Sequence, residues 1–161
     1  MDVKISNESL SFKLRANCVI VNDDKVLMLD LNKNGFLCCP GGHVHVGEDT
    51  REAVIRETKE EVEIESDSQK LIGICENFFS GKNGKKFHEI SFYYLMENPK
   101  IPPEKLQDYS FIENDEGKLV NLDFYWIPLK DVDKYDIRPK PLKEILKNRK
   151  FDSINHFLVK N

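Results

Sequence analysis

The sequence predicts an α/β protein, and three observations carry that prediction. Runs rich in β-branched and apolar residues alternate with Asn, Asp and Gly turn signals on both sides of the chain's centre. Between them, Pro40 to Ile64 reads Pro-Gly-Gly-His-Val-His-Val-Gly-Glu, followed by a stretch of helical spacing with no Gly or Pro up to Val62. A shorter helical pattern, Pro141 to Asn148, follows the last strand-like run and places proline in its first turn. With 161 residues the chain is expected to form one domain over 1–161, long enough to bury a proper core.

In chain order, Phe12 to Val21 reads as a strand ending at the turn Asn22-Asp23-Asp24, and Lys25 to Asp30 reads as its partner. Asn32 to Gly35 is the next turn, and Phe36 to Cys39 a short strand that delivers the chain into Pro40. His43 and His45 are two apart in an extended segment and should point the same way. Two histidines alone do not fill a tetrahedral zinc site, so both read first as strand residues. Asp49 or Thr50 supplies a helix N-cap. From there Glu57, Glu60 and Glu61 fall within an arc of roughly 100°, with Ile55, Thr58 and Val62 free to face the core. Three carboxylates on one helix face repel each other, and a divalent cation with a preference for oxygen removes that penalty.

Beyond the helix, Gln69 to Phe79 and Phe87 to Met96 read as two strands joined by the Gly- and Lys-rich link Ser80 to Lys86, a hairpin loop. His88 and Glu89 open the second of these strands. Pro99 to Tyr109 holds three prolines and reads as irregular connection, and Glu113 to Gly117 as an acidic turn. Leu119 to Pro128 returns to strand and carries Trp126, Leu129 to Val132 is a helical turn, and Leu142, Ile145 and Leu146 share one face of the final helix.

Composition narrows the function classes. The hydrophobic share of 40% and charged share of 32% are those of a globular protein, and the net charge of −4 argues against non-specific binding to nucleic acid or an anionic membrane. No apolar run is long enough to span a bilayer, and the start Met1-Asp2-Val3-Lys4 is unlike a signal peptide. Cys18, Cys38, Cys39 and Cys75 form no C-x-x-C pair and read as buried free thiols, so a cytoplasmic location is expected.

The spacing Gly42, five residues, Glu48, seven residues, then Arg56-Glu57-Thr58-Lys59-Glu60-Glu61-Val62-Glu63-Ile64 resembles the Nudix box, G-x5-E-x7-R-E-U-x-E-E-x-G-U with U a bulky apolar residue. Six fixed polar or glycine positions match, while Thr58 stands for an apolar residue and Glu63 for the closing glycine. On this reading the helix must end without its usual left-handed cap. The likeness extends from about Phe12 to Asn148, although only the box is specific.

The resemblance to the Nudix hydrolase family implies an α/β/α sandwich with a mixed β-sheet and the box as loop-helix-loop. It implies a hydrolase that cleaves the diphosphate bond of a nucleoside diphosphate derivative, such as a nucleotide or nucleotide sugar, with Mg²⁺ or Mn²⁺. Glu60 and Glu61 are then metal ligands, Glu57 a ligand or the base, and the Gly41 carbonyl a neutral oxygen ligand. Glu48 and Arg56 pair and hold the loop against the helix. An acid outside the box often completes such a site, here Glu116 first and Glu89 second. His45, which stands where the family commonly has Glu, is a candidate for substrate handling together with His88 and Glu89. A homodimer is compatible with the family. The proline about fifteen residues after the box that often accompanies ADP-ribose hydrolysis is Phe79 or Ser80 here. The alternatives are a nucleotide-metabolite sensor with little catalysis, which has no need of the three acids, and an RNA 5′-end hydrolase, which the acidic charge disfavours.

Overall fold

The computed structural model describes residues 1–81, 83–115 and 117–161. Ten strands and two α-helices follow in the order β1 (Lys4–Ser6), β2 (Leu10–Val19), β3 (Val21–Asn22), β4 (Lys25–Leu31), β5 (Gly41–His43), α1 (Thr50–Glu57), β6 (Ser68–Ser80), β7 (Lys86–Glu97), β8 (Tyr109–Asp115), β9 (Lys118–Pro128), α2 (Leu142–Lys147) and β10 (Asn155–Lys160). One sheet has the order β1-β2-β7-β6-β10, with β5 laid on β2, and the other has the order β3-β4-β9-β8. The first sheet is mixed: β2 runs parallel to β7 and β10 parallel to β6, while β1, β5 and the β6–β7 hairpin pair antiparallel.

Two apolar clusters show where the helices sit. Ala53 and Val54 of α1, with Val62 and Ile64 beyond it, pack against Ala16, Cys18, Leu27, Leu29 and Phe124. Leu142, Ile145 and Leu146 of α2 pack with Val132 against Val19, Val26, Met28 and Tyr93. Strand β4 therefore buries Leu27 and Leu29 on one face and Val26 and Met28 on the other, which is why Lys25–Leu31 is nearly unbroken in its apolar run. The helices cover opposite sides of the sheet layer, the α/β/α arrangement that the resemblance implies. Among the described residues no helix is long and apolar enough to cross a membrane.

Several expectations are corrected. The strand expected over Phe12–Val21 is broken at Ile20, where the chain leaves the first sheet for the second; Val19 and Ile20 are both fully buried, in different clusters. Phe36–Cys39 makes only isolated bridges, Leu29 with Cys38 and Leu37 with Ile137. Glu113 lies within β8, paired with Val120, because the hairpin turn is shorter than the run of acids suggested. The helix is α-helical only to Glu57, and Thr58–Val62 forms a π-helical turn. Ile55 is 44% exposed, and Ala53, Val54, Thr58 and Val62 take the buried side. The wider turn shifts the inward face by about one residue, and such π-bulges recur at functional sites. Finally, Glu63 adopts the left-handed conformation itself (φ 56°, ψ 38°), so the cap geometry survives without glycine.

Candidate active site

The N-terminus of α1 is built by a capping box. The Asp49 carboxylate accepts from Arg51 N and Glu52 N, and Glu52 Oε2 accepts from Asp49 N at 2.9 Å. Such reciprocal caps are worth about 1 kcal/mol and fix where the first turn begins. The residue before the cap, Glu48, reaches across to Arg56, eight positions further along the chain.

Arg56 organises the acids around that point. Its Nε and Nη2 donate to the two oxygens of Glu48 at 2.8 and 2.9 Å, a bidentate fork. Nη1 donates to Glu57 Oε1 at 2.6 Å and to Glu60 Oε2 at 3.3 Å, and Nη2 also reaches the His43 carbonyl at 3.0 Å. Glu48 Oε2 accepts the His45 N–H at 2.9 Å as well, tying the glycine loop to the helix. The Arg56 fork, helped by that N–H, holds the Glu48 carboxyl down to about 2, and Arg56 is in turn held charged by Glu48 and Glu57. Glu48 and Glu57 are mostly buried, whereas Glu60 is 62% exposed.

Glu61 closes the other side. Its Oε2 accepts the Gly41 N–H at 2.8 Å, and the Gly41 carbonyl accepts from Arg15 Nη2 at 3.0 Å. The loop must be glycine here for two reasons. Gly41 has φ +147°, and a Cβ would meet the Ala16 carbonyl oxygen at 2.3 Å; at Gly42 a Cβ would meet the Glu57 carboxylate, also at 2.3 Å. The Glu61 carboxyl is pushed up to about 7, first by burial and then by the negative charges of Glu57 and Glu113, against the pull of the Gly41 N–H and Arg15.

The structure gathers Glu48, Arg56, Glu57, Glu60 and Glu61 around the Gly41–Gly42 loop, and sets the other candidates at different places around it. His45 lies with His43 against the Asp2 carboxylate, at 3.4 and 3.5 Å, so the two imidazoles do point the same way, and His45 Nδ1 is 4.0 Å from Glu48 Oε2. His88 is stacked on Phe78 and set edge-on to Phe12, on the α1 side of the sheet. Glu89 is on the other face, paired in register with Lys13 and Asn77. Glu116 lies outside the described residues.

Two residues that the sequence reading did not single out enter the site. Arg15 and Glu113 both act on Glu61, from β2 and β8. Alternation along β2 was the available signal for Arg15, but nothing local revealed that β5 would lie beside it. On the face that carries Arg15, the sheet register also lines up Lys13, Glu89, Ser91 and Asn77, with His43 opposite Arg15. Burial, and then the neighbouring Arg15 charge, lowers the pKa of both Lys13 and His43. Asn17 Nδ2, His43 Nε2 and Asn77 Oδ1 on this face are buried with no hydrogen-bond partner among the described residues.

The NUDIX domain family model matches residues 11–148. An uncharacterized Nudix hydrolase of Bacillus subtilis, YvcI, is 31% identical over 123 residues, 76% of this chain and 70% of its own length. An ADP-ribose pyrophosphatase of Methanocaldococcus jannaschii is 33% identical over 82 residues, 49% of this chain and 47% of the relative. Among solved structures, the MutT protein of Bacillus halodurans superposes with a TM-score of 0.66 at 21% identity, covering 91% of this chain and 89% of its own, a likeness of fold.

Proposed function

Because the chain belongs to the Nudix hydrolase family, we propose that it is a metal-dependent pyrophosphohydrolase that cleaves the diphosphate bond of a nucleoside diphosphate derivative. The observation that carries this reading is the convergence of Glu57 and Glu61 on the Gly41–Gly42 loop.

The donors suit a hard divalent ion. Among the described residues no three acidic, imidazole or thiol groups form a finished cage. Mg²⁺ needs none, because it is commonly held by one or two carboxylates with waters and substrate phosphates completing the octahedron. Arg56 engages one oxygen each of Glu57 and Glu60, the Gly41 N–H engages one oxygen of Glu61, and the second oxygen of each acid accepts no hydrogen bond among the described residues. Glu60 and Glu61 would hold Mg²⁺ or Mn²⁺, with Glu57 as ligand or as the base that orients water. Bound there, the ion would neutralise charge on the diphosphate oxygens and help activate the attacking water. The chain's own part is positioning: Arg56 fixes Glu48 and Glu57 against the loop, and glycine at 42 leaves the space that the Glu57 carboxylate fills.

The adjoining sheet face would receive the remainder of the substrate. Burial, and then the neighbouring Arg15 charge, disfavours the charged form of Lys13, a tension that an anionic ligand would relieve, and the orphaned amide and imidazole atoms offer directional contacts. On this reading Lys13→Met raises KM about tenfold and leaves kcat nearly unchanged, the signature of lost ground-state binding. A fall in kcat at constant KM would place Lys13 in the chemistry instead.

The test of the activity is a panel of nucleoside diphosphate derivatives, ADP-ribose among them, incubated with Mg²⁺ or Mn²⁺ and scored for phosphate-containing products. Binding without turnover across the panel would favour a sensor role.

A further inference from the structure

We propose that Lys105 is a positioning residue for the catalytic turn, doing through a side chain what a closing glycine does through its backbone. The box ends at a residue that must adopt left-handed geometry, and here that residue is Glu63, whose Cβ crowds the following carbonyl oxygen in that conformation. The preceding Thr58–Val62 turn carries Glu60 and Glu61 and leaves its last carbonyls without helical partners.

Lys105 meets both needs. Its Nζ donates to the Val62 carbonyl and, at 2.7 Å, to Glu63 Oε2, and it lies 5.3 Å from the centre of the Tyr109 ring. The side chain is only 10% exposed, so it approaches from within the fold, while Glu63 comes to it from the surface. Contact with the ammonium also holds the Glu63 carboxyl below its usual range.

The anchor behind Lys105 is rigid. Pro102 and Pro103 open a 3₁₀ turn over Pro103–Lys105, and Lys105 N donates to the Pro102 carbonyl at 2.9 Å. The Lys105 carbonyl accepts the Trp126 indole N–H at 2.8 Å, and Trp126 N donates to Asp108 Oδ1 at 2.8 Å. Alongside, Lys100 N donates to the Glu65 carbonyl at 2.8 Å, so the proline-rich connection runs beside the tail of the box. Movement of Lys105 would release the end of the turn, and Glu61 is one residue from the carbonyl that Lys105 holds. A buried lysine and the single tryptophan thus become parts of the site's support.

The catalytic consequence rests on the reading of Glu60 and Glu61 as metal ligands, whereas the capping itself does not. The experiment separates the two. Hydrogen exchange is measured on the metal-free protein for the wild type, Lys105→Met, and Lys105→Met combined with Glu63→Gly. Mn²⁺ affinity is measured on the same three proteins by calorimetry.

In Lys105→Met, amide exchange over residues 58–64 should rise about tenfold or more while residues 51–57 change little, because only the end of the helix is released. Mn²⁺ affinity should fall about tenfold, as for the loss of a group that orients a ligand. Adding Glu63→Gly should return both quantities to within about threefold of wild type, since glycine takes the left-handed conformation freely. Exchange over 58–64 that is unchanged in Lys105→Met, or raised equally over 51–57, would overturn the capping role, as would failure of Glu63→Gly to rescue. If the wild type bound no Mn²⁺, the metal reading would fall and the exchange data alone would decide the cap.

Discussion

Replacing Glu61 with glutamine will nearly abolish hydrolysis and at the same time stabilise the metal-free protein above pH 7. The two effects have one cause. Glu61 is pushed up to about 7 by burial beside Glu57 and Glu113, so its charged form is disfavoured in the folded state. Its ordinary value is 4.5, so between about pH 4.5 and 7 the folded protein holds a proton that the unfolded chain has released. Stability is therefore fully present below pH 4.5, falls as pH rises through 7, and stays low above it. Glutamine carries no charge to bury and still offers an oxygen to the Gly41 N–H. The gain at pH 8 should be on the order of 2 kcal/mol, a rise in Tm of about 5 °C, and should vanish at pH 4. The same substitution removes an anionic ligand, and kcat should drop by roughly 10²–10³-fold. Calorimetry of the metal-free proteins at pH 4 and 8 decides the matter; an equal gain at both would mean that packing, not charge, is responsible. In the wild type, Mn²⁺ affinity should weaken below pH 7, where binding must first displace that proton.

The second large effect is expected at Arg56. Arg56→Lys retains a positive charge but loses the planar fork, and no single ammonium can reach Glu48 in two places, Glu57, Glu60 and the His43 carbonyl together. Glu48 and Glu57, at 15% and 17% exposed, would be left partly buried without full compensation. The loss should be on the order of 2 kcal/mol at pH 7. Glu48 is held down to about 2 in the folded state against an ordinary 4.5, so its contribution is present above pH 4.5 and disappears as pH falls toward 2. The difference between wild type and Arg56→Lys should accordingly shrink below pH 4, and a double-mutant cycle with Glu48→Gln should show strong coupling. Because the fork sets the geometry of Glu57 and the loop, kcat should fall about 10²-fold with little change in KM. A raised KM at wild-type kcat would mean instead that Arg56 contacts substrate.

Much of the acid cluster was legible because its members are close in sequence. Glu48, Arg56, Glu57, Glu60 and Glu61 lie within one loop and one helix, and helical periodicity brings them to one end. The alternating runs on either side gave the strands of the β6–β7 hairpin within about a residue or two. What stayed hidden was set by partners distant in the chain. Strands β1 and β10 have weak local patterns and exist through pairing with β2 and β6. The surroundings of His45 and His88, both candidates for substrate handling, were hidden too: His45 meets Asp2 as well as Glu48, and His88 packs between Phe12 and Phe78.

The sequence by itself determined the family, the order of strands and helices in the central region, and the identity of the clustered acids, since each depends on local spacing or on a fixed pattern along the chain. Tertiary structure alone decided which charges act on Glu61, because Arg15 and Glu113 arrive from strands 46 and 52 residues away in the numbering. It also decided how the box ends: Glu63 can hold a left-handed conformation because Lys105, set in place by Trp126 and two prolines, neutralises its carboxylate and satisfies the Val62 carbonyl. Backbone preference is a local property of one residue, but the interactions that override it come from wherever the fold brings a matching group.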